Sequence, residues 1–398
     1  MTILCTFTRN SKRSRMVIVV NTRLLLKERL EGIGWFMVET LSRMTRAHPE
    51  HRFIFLFDRA YDPQFIFSGN VTPVVLFPPT RHPLLWKLWF DYRVPGILRK
   101  YQADLFLSPD GYLSLRTGVP QLPVIHDLNF VHRPADLPGP ISRYYNRYFP
   151  LFAQKATRIA TVSDWSKEDI ATSFHIDPRK IDVVYNACSS AFRPLNRKEQ
   201  QAVRDQYTAG KPYFLFVGAL HPRKNIEGLL IAFEEYKSRT SGEEKLLVVG
   251  GKMFKTGNIA NRLATMKHRD AVVFTGRVGA EELHQIYGAA LALTFVPFFE
   301  GFGIPVVEAM GAGIPVICSH ATSLPEVAGD AALYADPHQP RQIAWAMQKV
   351  ASAEALRNLM IEKGFRQKEK FSWDRSAELL WASILKATEP QNQEPEPL

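Results

Sequence analysis

At 398 residues, 46% hydrophobic and 22% charged, the chain is long enough for two domains of ordinary size, each with its own core. No apolar run reaches the roughly 18 residues that cross a bilayer, and the basic opening MTILCTFTRNSKRSR adjoins no apolar stretch of signal-peptide length; both argue for a cytosolic protein. Cys5, Cys188 and Cys318 are too scattered for a disulfide framework or a cysteine metal site, and the formal charge of +11 is spread without a nucleic-acid motif, so an anionic nucleotide or an anionic membrane surface accounts for it and nucleic acid is not an expected partner.

In chain order, residues 16–20 (MVIVV) form the first expected strand, and residues 1–15 read as a leader outside the fold, either disordered or preceding a true start at Met16. Gly32, Ile33 and Gly34 then stand just before an amphipathic helical pattern, a spacing that suits a plain turn as well as a phosphate loop. Residues 52–57 and 73–77 read as strands. Residues 82–102 interleave Trp86, Trp89, Phe90 and Tyr92 with Lys87, Arg93, Arg99 and Lys100. That pattern fits an interfacial membrane helix or a helix packed on its own sheet, and the break at Pro95 and Gly96 favours the second. Short strands are expected at 104–107 and 122–126, the latter ending in His126 and Asp127, at the strand end where doubly wound sheets keep their active sites. Residues 138–156 predict a long helix, Ser163 a helix cap, 182–185 a strand, and 186–210 an irregular linker.

The second half opens on YFLFVGAL, where Gly218 ends a buried strand, and continues HPRKN into a helix with apolar face Ile226, Leu229, Leu230, Ala232 and Phe233. Arg223 and Lys224 precede that helix, where cations oppose the dipole unless an anion sits between them; a diphosphate would supply one. Strands at 245–251 and 271–276 alternate with helical patterns, and Arg277 and Val278 follow the second. Residues 295–319, FVPFFEGFGIPVVEAMGAGIPVICS, combine a buried strand, the turn Glu300, Gly301, Phe302, Gly303, a short helix from Ile304 and Pro305, and the next strand. Free N–H groups at such a helix start bind anions, phosphates above all. Glu300 and Glu308 flank the turn with seven residues between them. Spacing alone leaves open a capping acid and a solvated helix residue, or two carboxylates turned to sugar and ribose hydroxyls.

This stretch resembles the signature of the retaining glycosyltransferases of family 4, nucleotide-sugar-dependent enzymes of GT-B architecture, and ATSLPEVAGDAALYADP downstream is similar as well. The likeness is specific over about residues 213–337 and looser before them. It implies an α/β fold of two Rossmann-like doubly wound domains facing across a cleft: residues 16–195 on the acceptor side, 196–370 on the donor side, 371–388 crossing back to the first domain, and a disordered tail at 389–398. By the same resemblance, Arg223 and Lys224 hold the donor diphosphate, Glu300 takes the donor-sugar hydroxyls, and His126, in VIHDLNFVHRP, faces the sugar from the opposite domain. Gly34 closes over the diphosphate, with GIGWF in place of the usual GIGRY. Gly218, Gly301, Phe302, Gly303 and Ile304 line the donor, Val278 meets the base, and Glu308 the ribose. Ala219 stands where many relatives carry another arginine.

The implied reaction moves a hexosyl group from a nucleoside diphosphate sugar to a glycan or lipid-linked glycan in surface polysaccharide assembly, with retention and no covalent nucleophile. No DxD motif stands at a strand end, so neither metal nor cofactor is expected; HPRKN resembles relatives that use mannose donors, which points to GDP-mannose. The basic, aromatic first domain suggests peripheral contact with the cytoplasmic membrane. A non-hydrolysing sugar-nucleotide epimerase, which shares the architecture, and a noncatalytic nucleotide- or polyanion-binding protein are the alternatives.

Overall fold

VIVVN at Val17–Asn21 (β1) is apolar without alternation, as a strand covered on both faces must be, and it takes the centre of a parallel sheet. The computed structural model describes residues 15–27, 30–80, 82–251 and 257–389, so the expected leader up to residue 14 and the tail from residue 390 lie outside the described residues. With β2 (Arg52–Phe57), β3 (Val71–Val75), β4 (Leu105–Ser108) and β5 (Gln121–Pro123), the sheet order is β3-β2-β1-β4-β5. Pro73 is accommodated because β3 is an edge. A bridge from Val124 to Ala160 leads on to β6 (Ile159–Thr161), which pairs with β7 (Ile181–Val183).

The second sheet holds β8 (Tyr213–Val217), β9 (Lys245–Val249), β10 (Val272–Gly276), β11 (Ala292–Phe295), β12 (Val316–Ser319) and β13 (Ala332–Ala335). Every pairing is parallel and the order is β10-β9-β8-β11-β12-β13. Strand order reverses between β8 and β11, as it does between β1 and β4 in the first sheet. Both reversals open a crevice at carboxyl strand ends, the place where doubly wound sheets bind ligands.

Three local expectations differ from the structure. The glycine pair forms the first turn of the helix Gly32–Ala47 instead of preceding it. The stretch 186–210 contains a helix, Arg197–Thr208, closed by a capping box of Asn196 and Glu199. β5 stops at Pro123, because Val124 turns to pair with Ala160, which leaves His126 beyond the strand.

Trp86, Trp89 and Phe90 are buried, and the two indoles donate to the carbonyls of Thr80 (2.8 Å) and Leu76 (2.7 Å). The last helix, Trp373–Thr388, lies on the first domain: Arg43 pairs with Asp374, Trp381 stacks on His48 at 3.8 Å, and Ser376 donates to the Tyr185 carbonyl at 2.6 Å. Cys188 and Cys318 are free thiols, and no helix among the described residues is long and apolar enough to cross a membrane.

Candidate active site at the interdomain cleft

The β8–β11 crevice collects the charged residues. After β8, Gly218 turns the chain beside Lys224, whose Cε lies 3.9 Å from where a Gly218 Cβ would stand. Pro222–Lys224 form a 3₁₀ turn, and Asn225, in the left-handed region at φ 57°, begins the helix Ile226–Arg239. The Asn225 amide pins this turn by donating to the carbonyls of Val296 (3.0 Å) and Pro337 (2.7 Å). Arg223 is thereby aimed at the Phe299 carbonyl (3.1 Å) and the Glu300 carboxylate (3.0 Å), and Lys224 pairs with the same Glu300 oxygen.

The two cations therefore already share one internal carboxylate, which offsets only part of their charge, and Glu300 faces them instead of open space. Burial pushes the Glu300 carboxyl up, but Arg223 and Lys224 outweigh it and hold it below the ordinary glutamate value. Burial, reinforced by the Arg223 charge, pulls the Lys224 ammonium down to about 8.

Both domains brace the turn that carries Glu300. The Glu300 N–H donates to Thr322 Oγ1 (3.2 Å), and Ser323 Oγ donates to the Glu300 carbonyl (2.9 Å). From the first domain, the hydroxyls of Ser163 and Ser166 donate to the Gly301 carbonyl at 2.7 and 3.1 Å. Ser163 also caps its own helix, as the sequence suggests, by accepting from Ser166 N–H. Glu326 of the second domain accepts from the N–H groups of Asp164 (2.8 Å) and Trp165 (2.9 Å), so one domain caps a helix of the other. Phe302 is packed against Tyr185 and Phe371 and so lies within the turn's support.

Gly303, at φ 101°, ends the turn in a conformation closed to other residues and starts the helix Ile304–Gly311. Gly32 abuts this helix start, since a Cβ there would meet Ile304 Cδ1 at 3.6 Å, and Glu31 pairs with Arg277 at 2.6 Å. Gly34 faces inward instead, against Leu30 and the Leu24 carbonyl. Val278 is half-buried and packs on the apolar cluster that includes the strands of the second sheet.

Glu308 accepts a 2.7 Å bond from the Tyr287 hydroxyl, so the solvated reading of its spacing does not hold; burial pushes its carboxyl up to about 7 against that bond. His126 Nε2 lies 2.8 Å from the Pro109 carbonyl, which can only accept, so that nitrogen carries the proton. Burial lowers the imidazole pKa and keeps it neutral, and Phe36 meets it edge-on at 5.2 Å. The His126 carbonyl and Asp127 press on Gly301 across the cleft.

Sequence reading missed four groups: Tyr287, Thr322, Ser323 and Glu326. It also missed the first domain's own crevice, where Asn21 donates to Asp110 (2.7 Å), Arg23 pairs with Asp110 (2.6 Å), and the guanidinium lies 4.2 Å over Tyr112. The signal for that network is the polar run Asn21, Thr22, Arg23 that closes an apolar strand. Among the described residues, one group could hold a metal ion, His48, Glu50 and His51, at the far end of the first helix from Gly32.

Two family models match the chain: "Glycosyl transferases group 1" over residues 198–367 and "Glycosyltransferase Family 4" over residues 30–191. O-antigen chain mannosyltransferase B of Escherichia coli is 32% identical over 298 residues, 74% of this chain and 78% of that protein. O-antigen chain mannosyltransferase RfbU of Salmonella typhimurium is 29% identical over 270 residues, 67% and 71% of the two chains. Among solved structures, sucrose-phosphate synthase from Thermosynechococcus elongatus superposes with a TM-score of 0.73 at 18% identity, covering 94% of this chain and all (100%) of that one. WaaG, a glycosyltransferase involved in lipopolysaccharide biosynthesis, gives 0.72 at 16% identity, with 93% and 99% covered.

Proposed function

Since the chain belongs to the family 4 glycosyltransferases and has the GT-B fold, we propose that it transfers a hexosyl group, mannosyl first, from a nucleoside diphosphate sugar to a glycan or lipid-linked glycan on the cytoplasmic side of surface polysaccharide assembly. The observation that carries the reading is the cationic pair Arg223 and Lys224, set beside the glycine turn and masked by Glu300 at the strand-order reversal. The names of the O-antigen mannosyltransferase relatives support mannose as the sugar, and GDP-mannose is the donor we propose.

Glu300 occupies both cations, Arg223 and Lys224, where a diphosphate would bind. A donor diphosphate, carrying more charge, takes over Arg223 and Lys224 and frees Glu300 to accept from sugar hydroxyls. As the bond from the anomeric carbon to the diphosphate oxygen breaks, the two cations and the N–H groups after Gly303 hold the developing charge where water is largely excluded. The acceptor oxygen attacks from the same face, its new bond to the anomeric carbon forms, and its proton passes to the departing phosphate oxygen. Configuration is retained without a covalent nucleophile. Neutral His126 keeps Nδ1 as an acceptor toward the sugar, and ionised Glu308 accepts from the ribose. Arg223 and Lys224 fill the role a divalent ion would have, and the reaction needs no cofactor.

The test is product analysis. With GDP-mannose, which is α-linked, a mannan acceptor and excess EDTA, the product should carry an α-linkage by anomeric NMR coupling. A β-linked product, or activity restored after chelation only by a divalent ion, refutes the reading.

A pH profile follows from the two shifted groups. Glu308 must lose its proton to accept from ribose, and Lys224 must keep its own to hold phosphate. Affinity for a nucleoside diphosphate should therefore rise as pH passes about 7 and fall as it passes about 8. Glu308→Gln should remove the lower limb and Lys224→Arg the upper one, both read by calorimetric titration; a flat wild-type profile would count against these assignments.

A further inference from the structure

The segment that reads as both packing helix and interfacial helix divides its residues between the two roles. Trp86, Trp89 and Phe90 point into the first domain, whereas Leu84, Leu88 and Tyr92, spaced by four, are 74%, 42% and 51% exposed. They run along Pro83–Leu88 and the π turn Trp89–Arg93, and Phe77, at 60% exposure, lies beside them because Arg93 Nε donates to its carbonyl at 3.0 Å. Lys87 Nζ sits 5.9 Å over the Tyr148 ring and Arg147 lies 5.7 Å from the same ring. The face therefore continues onto the helix Gly139–Lys155, where Leu151 is 40% exposed.

Charge on this face has one sign. Among the described residues, 82–102 and 139–155 contain seven Lys and Arg residues and a single acid, Asp91. Asp91 is buried and accepts from the Leu115 N–H at 2.9 Å, so it offers no negative charge to solvent. Arg116 adds a further cation, 4.3 Å over the Tyr92 ring. An apolar stripe flanked by Lys87, Arg93, Arg116 and Arg147 matches an anionic lipid surface, where leucine and tyrosine enter the acyl boundary while Lys and Arg stems carry their charges to the headgroups.

The backing is rigid. Trp86 stacks on Tyr145 at 5.9 Å and meets Tyr112 edge-on at 5.4 Å, and Tyr112 lies under Arg23 in the β1–β4 crevice. One aromatic layer thus joins the exposed stripe to the first domain's crevice. We propose that this face of the first domain docks on an anionic lipid bilayer, holding the acceptor-side crevice at the membrane surface. The proposal is separate from the donor-site reading, because it needs no nucleotide.

Vesicle flotation tests it on the full chain at about 0.1 M salt. The wild type should float with vesicles of phosphatidylcholine and phosphatidylglycerol mixed at roughly two to one, and stay down with phosphatidylcholine alone. Leu84→Ser with Leu88→Ser, and separately Lys87→Ser with Arg93→Ser, should each weaken vesicle binding on the order of tenfold. Melting temperature and nucleotide affinity should stay at wild-type values, since these side chains are exposed and away from the donor site. Equal flotation by wild type and both double variants overturns the proposal, as does equal binding to neutral vesicles. So does a wild type that ignores vesicles while it binds a single-stranded oligonucleotide with strong salt dependence.

Discussion

Lys224→Ala should lower kcat/KM by about a thousandfold and abolish measurable nucleoside diphosphate binding, the loss expected when one preorganised cation facing a leaving diphosphate is removed. Lys224 and Arg223 share one carboxylate oxygen of Glu300, so the alanine variant leaves Glu300 bound to Arg223 alone. The remaining arginine is then occupied by an internal anion that the donor must still displace. Glu300→Gln separates the two roles of that carboxylate. It removes the competing anion, so nucleoside diphosphate binding should persist or tighten, while kcat falls on the order of a hundredfold as the sugar hydroxyls lose their acceptor. Equal loss of binding in both variants, read by calorimetry and initial rates, would contradict the exchange of carboxylate for diphosphate.

Gly301→Ala is the second change with a large expected effect. A Cβ at Gly301 would overlap the His126 carbonyl oxygen and stand 2.8 Å from Asp127 Cβ, both on the opposite domain and the former part of the backbone. The clash cannot be relieved by a side-chain rotation, so the domains must separate locally. That separation breaks the Ser163 and Ser166 bonds to the Gly301 carbonyl and moves Glu300 relative to His126. A displacement of about 1 Å at reacting groups costs on the order of a hundredfold in rate. Turnover should fall by at least that factor, while nucleoside diphosphate affinity, set within the second domain, changes little. Wild-type kcat in this variant would show that the domains do not meet here during the reaction.

What the residues reveal in advance follows the range of the interactions involved. Most strands of both sheets were legible because they are apolar runs, Ala332–Ala335 being the strand not expected, and the crossover of residues 295–319 was legible because turn, helix start and helix end are written locally in glycine and proline. The helix Arg197–Thr208 carries its own signal, Asn196 followed three residues later by Glu199, which the polar composition of the stretch obscured. The partners of the charged residues are not local. Lys224 and Glu300 are 76 residues apart, Ser163 and Gly301 are 138 apart, and Asp164 and Glu326 are 162 apart. Only the fold brings them together. Cations before a helix start, as Arg223 and Lys224 are, call for an anion, and the protein supplies one itself in Glu300, 76 residues from Lys224.

The most direct measurement is a thermal-shift panel of the wild type and Lys224→Ala against GDP, UDP, ADP and dTDP and their sugars, each with and without EDTA. A nucleotide at about a hundred times its dissociation constant adds roughly 2.7 kcal/mol to the folded state, a clear rise in melting temperature. The account predicts that one nucleotide class, GDP first, stabilises the wild type equally with and without EDTA and leaves Lys224→Ala unmoved. No shift with any nucleotide, or an equal shift in Lys224→Ala, would contradict a donor site built on Arg223, Lys224 and the Glu300 turn.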